Sequence, residues 1–222
     1  MLIEYIFQFE DGRELRYPVS IDTGSMTLLE VPGETFPAWV RLEYHQCKNC
    51  PLDSESHPDC PVAKNLYHLV ESTKNDISCN RSKVTVITSE RRYEKETDLQ
   101  TGLFSLMGLL MAVSACPHFA VFKPLARFHL PFSTVKETLY RTCGNYLLEG
   151  YLKNELTELN LDGLNRNYCE LGQVNAGIID RINSVSEGDA DRNALVALDI
   201  FAKMFGLEYQ TNFSSLNDLF DN

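Results

Sequence analysis

The residues best suited to chemistry cluster in one short stretch. His45-Gln46-Cys47-Lys48-Asn49-Cys50-Pro51 is followed by His57-Pro58-Asp59-Cys60-Pro61. The two-residue spacer between Cys47 and Cys50 lets a single turn point both sulfurs at one ion, and Cys60 adds a third thiolate from across a short loop. Pro61 suits the first position of a helix, and Val62, Leu66, Leu69 and Val70 give that helix an apolar face. Cys60 is therefore expected at the helix N-cap, where the macrodipole favours a thiolate. A closed site needs a fourth ligand. Cys116, in Ala115-Cys116-Pro117-His118, is the expected one, with His45, His57 and His118 as alternative ligands.

Thiolates suit zinc and iron–sulfur clusters alike. Cys50, Cys60 and Cys116 each precede proline, as does the closing cysteine of bacterial ferredoxin motifs, which speaks for a cluster. The crowd of histidines and the missing CxxCxxC run speak for zinc. Zinc is the expected cofactor and an iron–sulfur cluster the alternative. The competing reading is a set of buried thiols, or a redox pair without metal. Thioredoxin-like chemistry is disfavoured because no βαβ context surrounds Cys47. Cys143 and Cys169 lie in expected helices and read as buried thiols, while Cys79 lies in a polar loop without a role.

A second constellation follows Cys116. The stretch to Phe132 holds prolines 117, 124 and 131 and phenylalanines 119, 122, 128 and 132. The prolines argue against one continuous helix and the phenylalanines for burial. Lys123, Arg127 and His129 lie inside it and need partners. Either they reach solvent or carboxylates, or they line a cationic pocket for a small anionic ligand, with Arg127 as its fork. No GxSxG, P-loop, GxGxxG, HExxH or EF-hand pattern is present, so no catalytic residue is nominated.

The elements that must hold these residues divide the chain in two. Residues 1–98 read as mainly β, with a cysteine-rich loop at about 45–61, and residues 99–222 as α-helical; the two could form one compact domain. Tyr5, Phe7 and Phe9 alternate with Ile6, Gln8 and Glu10, Asp11-Gly12 signals a hairpin, and Glu14 to Val19 returns. Ala38 to Tyr44 is a third expected strand. Lys83 to Thr88 and Arg91 to Thr97 form a second hairpin turning at Ser89-Glu90.

Gly102 to Ala115 is apolar all round and reads as a central buried helix. Its small residues Gly102, Ser105, Gly108, Ala112 and Ala115 read as a close-packing stripe, with a pocket as the other possibility. Thr134-Val135-Lys136-Glu137 is a capping box opening a helix with Val135, Leu139, Cys143 and Tyr146 on one face. Leu164, Tyr168, Leu171, Asn175, Ile178 and Ile182 define another helix, and Leu195, Leu198, Phe201, Ala202 and Phe205 a last one. Residues 207–222 form a polar tail, read as a docked last turn or a partner-binding segment. The expected class is α+β: a small antiparallel sheet packed on a mainly helical body.

The chain has 222 residues and a net charge of -11, which excludes general nucleic-acid affinity. Its start has no signal-peptide pattern, and its longest apolar run falls short of a membrane span. With seven cysteines and no secretory signal, a cytoplasmic location and metal ligation are expected rather than disulfides.

The motifs His45-Gln-Cys47-x-x-Cys50-Pro-Leu, Cys60-Pro-Val-Ala, Leu106-Met-Gly-Leu, Cys116-Pro-His and Arg127-Phe-His129-Leu-Pro-Phe132, taken in order, resemble an uncharacterised bacterial family known only as a domain of unknown function. The resemblance implies a bacterial protein and brings no activity, ligand or site residue. The function expected is a metal-stabilised adaptor or regulator with a structural zinc site, acting on an unknown protein partner or a small anionic ligand. The alternatives are an iron–sulfur redox or sensor protein, or an enzyme using the pocket around Arg127 and His129.

Overall fold

Alternation along the first strand decides which face of the sheet is covered. In the computed structural model, which describes residues 1–29, 33, 35–154 and 160–220, β1 (Leu2–Phe9) buries Ile3, Tyr5, Phe7 and Phe9. The chain turns at Gly12, whose φ of 86° is the left-handed geometry that glycine supplies without strain. It returns as β2 (Glu14–Asp22), pairing Tyr5 with Tyr17. β3 (Thr27–Leu28) is a short edge on β2. On the other side β1 pairs with β4 (Arg81–Ile87), matching Phe7 with Val84, and β5 (Arg92–Asp98) completes an antiparallel sheet of order β3-β2-β1-β4-β5. Both expected hairpins are present.

The helical body lies on the covered face. α1 (Pro61–Thr73) starts with Cys60 as its N-cap, as expected. α2 (Leu99–Ala112) begins three residues before the periodicity suggested, because the Asp98 carboxylate accepts from the Thr101 N–H at 2.9 Å and caps it. Gly102 lets α2 sit directly on the sheet: a Cβ there would lie 2.6 Å from the Phe7 ring and 3.0 Å from Val84. α4 (Val135–Leu152) carries the expected capping box. Of its expected apolar face only Leu139 is fully buried, and Val135 is exposed.

α5 (Asp162–Asn183) and α6 (Ala190–Gln210) pack together, with Tyr168 stacked on Phe205 at 4.0 Å. Leu164, Tyr168, Leu171, Asn175, Ile178 and Ile182 are all buried, as the periodicity required. The tail docks: Phe213 packs on Phe205, Leu216 is buried, and Lys136 pairs with Asp218 at 2.6 Å; residues 221–222 lie outside the described residues. One apolar core takes residues from the sheet, the cysteine loop and every helix from α1 to α6. Among the described residues no single helix is long and apolar enough to cross a membrane.

One expectation about elements fails. Ala38 to Tyr44 is not a strand: Ala38–Val40 is one turn of 3-10 helix after Pro37, and only Arg41 makes a single β-bridge, to Asp59. Trp39, Val40 and Leu42 still point into the core, but the backbone carbonyls there are satisfied by a side chain instead of a neighbouring strand. The stretch after Cys116 is a 3-10 turn (Pro117–Phe122) running into α3 (Lys123–Arg127), bent away from α2 by 114°. Pro117 and Pro124 sit in the first turns of these helices, where no backbone donor is lost, so they start structure instead of breaking it. Phe119 and Phe122 are buried, whereas Phe128 is exposed.

Candidate functional site

The cysteine loop is folded by its own backbone. Cys50 N–H donates to the Cys47 carbonyl at 3.0 Å, closing the CxxC turn, and Cys60 N–H donates to Val40 at 2.8 Å. The Arg41–Asp59 ion pair at 3.1 Å holds the loop ends together. Cys116 arrives from the far end of α2 as the N-cap of the 3-10 turn. The four thiols then become electrostatic neighbours. Burial pushes Cys116 up to about 12 and the charges of Cys60, Cys47 and Cys50 add to the shift. Burial also pushes Cys47 up to about 11, with Cys60 and Cys50 adding and Arg181 opposing. All seven cysteines are free thiols. Among the described residues, however, no three His, Cys, Asp or Glu side chains are grouped so as to hold a metal ion. The thiols sense one another's charge without being grouped around one point.

α5 backs this loop closely. Gly177 has no room for a side chain, since a Cβ would lie 2.9 Å from Cys47 Sγ and 3.2 Å from the His45 carbonyl. Asn49 donates its amide to the Glu170 carbonyl at 3.0 Å. Arg181, fully buried, donates to the carbonyls of Trp39 and Arg41 at 2.7 Å and of Leu42 at 2.8 Å, while its Nε has no partner. This guanidinium replaces the missing strand. No carboxylate pairs with it among the described residues.

The histidines are occupied or outside. His118 faces Glu170 Oε2 at 3.1 Å with Nδ1 and the Asn49 carbonyl at 3.0 Å with Nε2, so both nitrogens are taken. His45 is exposed in a left-handed turn, φ 45°, and His57 is exposed with Nδ1 2.9 Å from Ser56 Oγ. Cys169 and Cys79 are exposed, against the expectation of a buried thiol at 169, because its position on α5 faces away from the core; Cys143 is half-buried.

Lys123, Arg127 and His129 do not share a pocket. Lys123 donates to the Ser25 carbonyl at 2.8 Å, and the exposed Arg127 donates to the Thr23 carbonyl at 3.1 Å and reaches Met26 Sδ at 3.8 Å. Both tie α3 to the turn after β2. The physical reason is the short helix itself, which turns these two side chains toward that loop. His129 alone of the three lines a cavity of about 170 Å³ bounded by α2, the 3-10 turn, α3, α4, α5 and α6. Burial and the Arg141 charge depress His129 to about 3, so it is neutral.

His129 ends a hydrogen-bond chain. Phe132 N–H donates to Ser105 Oγ at 3.3 Å, Ser105 meets the Tyr5 hydroxyl at 3.0 Å, and Tyr5 meets His129 Nε2 at 2.6 Å. A backbone amide can only donate. The direction that leaves no hydroxyl proton without an acceptor therefore runs from Ser105 to Tyr5 to His129, and leaves His129 with its proton on Nδ1.

Sequence reasoning missed Arg181, Arg141 and the cavity role of Asn175. A cation three residues after Ile178 on the apolar face of α5 was the available signal for Arg181. Nothing local marks Arg141, which enters the cavity wall only because α4 crosses α3, where it donates to the Phe128 carbonyl at 2.5 Å. Comparison with curated proteins and with solved structures gives no match. The family comparison matches residues 3–221: the chain belongs to the family described as Domain of unknown function (DUF6901).

Proposed function

We propose that the protein is a metal-stabilised, non-catalytic adaptor or regulator in which Cys47, Cys50, Cys60 and Cys116 close around one zinc ion. The observation that supports this reading is that thiols from separate segments lie within range of one another's charge, Cys47 sensing Cys50 and Cys60, and Cys116 sensing all three. The donor set fits: four thiolates are a sufficient structural zinc set, and none of the three nearby histidines is needed. Arg181 fits as well. A zinc ion with four thiolates carries a net double negative charge, and a buried guanidinium beside Cys47, with only carbonyls as acceptors, offsets part of it. Closing the site takes rotation of the thiols from their metal-free positions. The metal would staple the loop before α1 to the end of α2. A reducing compartment such as the bacterial cytoplasm keeps such thiols available.

The test is metal analysis of the full chain purified without chelator, followed by thermal melts before and after verified metal removal. About one tightly held zinc per chain and a midpoint that falls on removal are expected, with Cys60→Ser losing both. A brown protein carrying iron and sulfide would move the same ligands to the cluster reading. A metal-free, fully folded protein that takes up no zinc would end the proposal.

A further inference from the structure

The cavity beside His129 is independent of the metal reading, since no cysteine lines it. Its walls are largely aromatic and aliphatic, among them Phe104, Phe119, Phe122, Leu171 and Phe201. The volume of about 170 Å³ is comparable to an apolar cavity of roughly 150 Å³ that accommodates benzene.

Seven polar side chains interrupt this lining; the hydroxyls of Ser105, Ser133, Thr138 and Tyr168 have partners within the protein, which leaves Asn175, His129 and Arg141. Asn175 is 1% exposed, and its amide nitrogen has no hydrogen-bond partner, a cost that a buried donor bears only when something else offsets it. His129, neutral, has its Nε2 taken by Tyr5 and its Nδ1–H left over. Arg141 uses one nitrogen, Nη2, on the Leu125 and Phe128 carbonyls and keeps its remaining donors. Glu137, four residues earlier, is the carboxylate that Arg141 senses, but its Oε2 is held by Thr134 through the capping box, at 2.7 Å from the amide and 2.9 Å from the hydroxyl. Unused donors plus one cation call for a ligand group that only accepts and carries a negative charge. The size and lining call for a compact apolar body.

We propose that this cavity binds a small monocarboxylic acid whose apolar part is one ring or a short alkyl chain, with the carboxylate on Arg141. A phosphate or a dicarboxylate would leave charge against phenylalanine, which disfavours both. The small-residue stripe of α2 now divides by role: Gly102 seats the helix on the sheet, while Gly108 and Ala112 open the space the ligand fills.

Isothermal titration of the full chain with benzoate and with hexanoate, against 1-hexanol as the uncharged counterpart, tests this. Saturable binding of at least one acid is expected, at least tenfold tighter than the alcohol. Arg141→Gln should weaken the acid at least tenfold and leave the alcohol unchanged, and Arg141→Lys should recover most of the loss. A second variant guards against misfolding: Gly108→Leu fills the cavity, and its Cβ meets only Leu198, at an ordinary 3.5 Å. It should abolish binding while circular dichroism stays native. No saturable binding of either acid, equal binding of acid and alcohol, or an Arg141→Gln variant that binds acid like the parent would each overturn the proposal.

Discussion

Cys47 and Cys116 are poor metal ligands until a metal arrives. Burial holds both as neutral thiols at pH 7, at about 11 and about 12. Binding must therefore expel their protons, and the affinity must depend on pH. With these two thiols protonated throughout, zinc affinity should rise at least about 100-fold per pH unit between pH 6 and 8. Competition against a chromophoric chelator of known proton affinity measures this slope. A slope near zero would mean that these two residues are not ligands. The same burial argues against a free CxxC redox pair, since a thiol raised this far is a weak nucleophile.

At the scale of elements, the loop from Pro37 to Cys60 is organised by α5 more than by itself. Arg181 supplies donors to three loop carbonyls and Gly177 lets the Cys47 turn press against the helix. Arg181→Leu removes those donors from a buried site and should destabilise the fold by roughly 1–3 kcal/mol for each carbonyl left without a donor. Urea unfolding gives the measure, and Arg181→Lys should recover only part, because one ammonium cannot fork across the same carbonyls. An unchanged midpoint in Arg181→Leu would show that water serves these carbonyls instead.

This dependence also explains which elements were legible in the sequence. β1, β2, β4 and β5 follow from alternation and hairpin chemistry, and α1, α4, α5 and α6 from caps and apolar periodicity, all local signals. Ala38 to Tyr44 alternates like a strand in sequence, but it buries the adjacent Trp39 and Val40 together, and its hydrogen-bond partner is a side chain on a helix far along the chain. The CxxC spacing and Cys-Pro pairs nominate the four cysteines proposed above as zinc ligands. The cavity was legible only through His129, since Arg141 and Asn175 reach it by the crossing of helices that no local pattern encodes.

For the whole molecule, two buried titrations oppose each other. His129 is depressed from 6.5 to about 3, so the unfolded chain binds more protons in that window; stability is present above pH 6.5 and is lost as pH falls. Asp191 is buried against Thr73 and Ser186 and raised from 3.8 to about 6. There the folded state binds more protons, so its contribution grows as pH falls through 6. From pH 7 to 5 these shifts correspond to a loss of about 2 kcal/mol from His129 and a gain of about 1.4 kcal/mol from Asp191. Asp191→Asn should therefore lose stability more steeply than the parent on acidification over that range, and His129→Gln less steeply. Chemical unfolding at pH 5, 6 and 7 decides it, and parallel profiles for all three proteins would contradict both assignments.

The guanidinium that completes the cysteine loop stands 142 residues beyond the Trp39 carbonyl it serves. Synthesis runs from the N-terminus, so Cys47, Cys50 and Cys60 leave the ribosome long before Cys116, and Cys116 long before Arg181. A nascent chain lacking α5 has a loop whose carbonyls have no donor and whose thiols have no backing helix. The loop can settle only after α5 has been made, and any ion it holds is acquired no earlier than that, when the two halves close on each other.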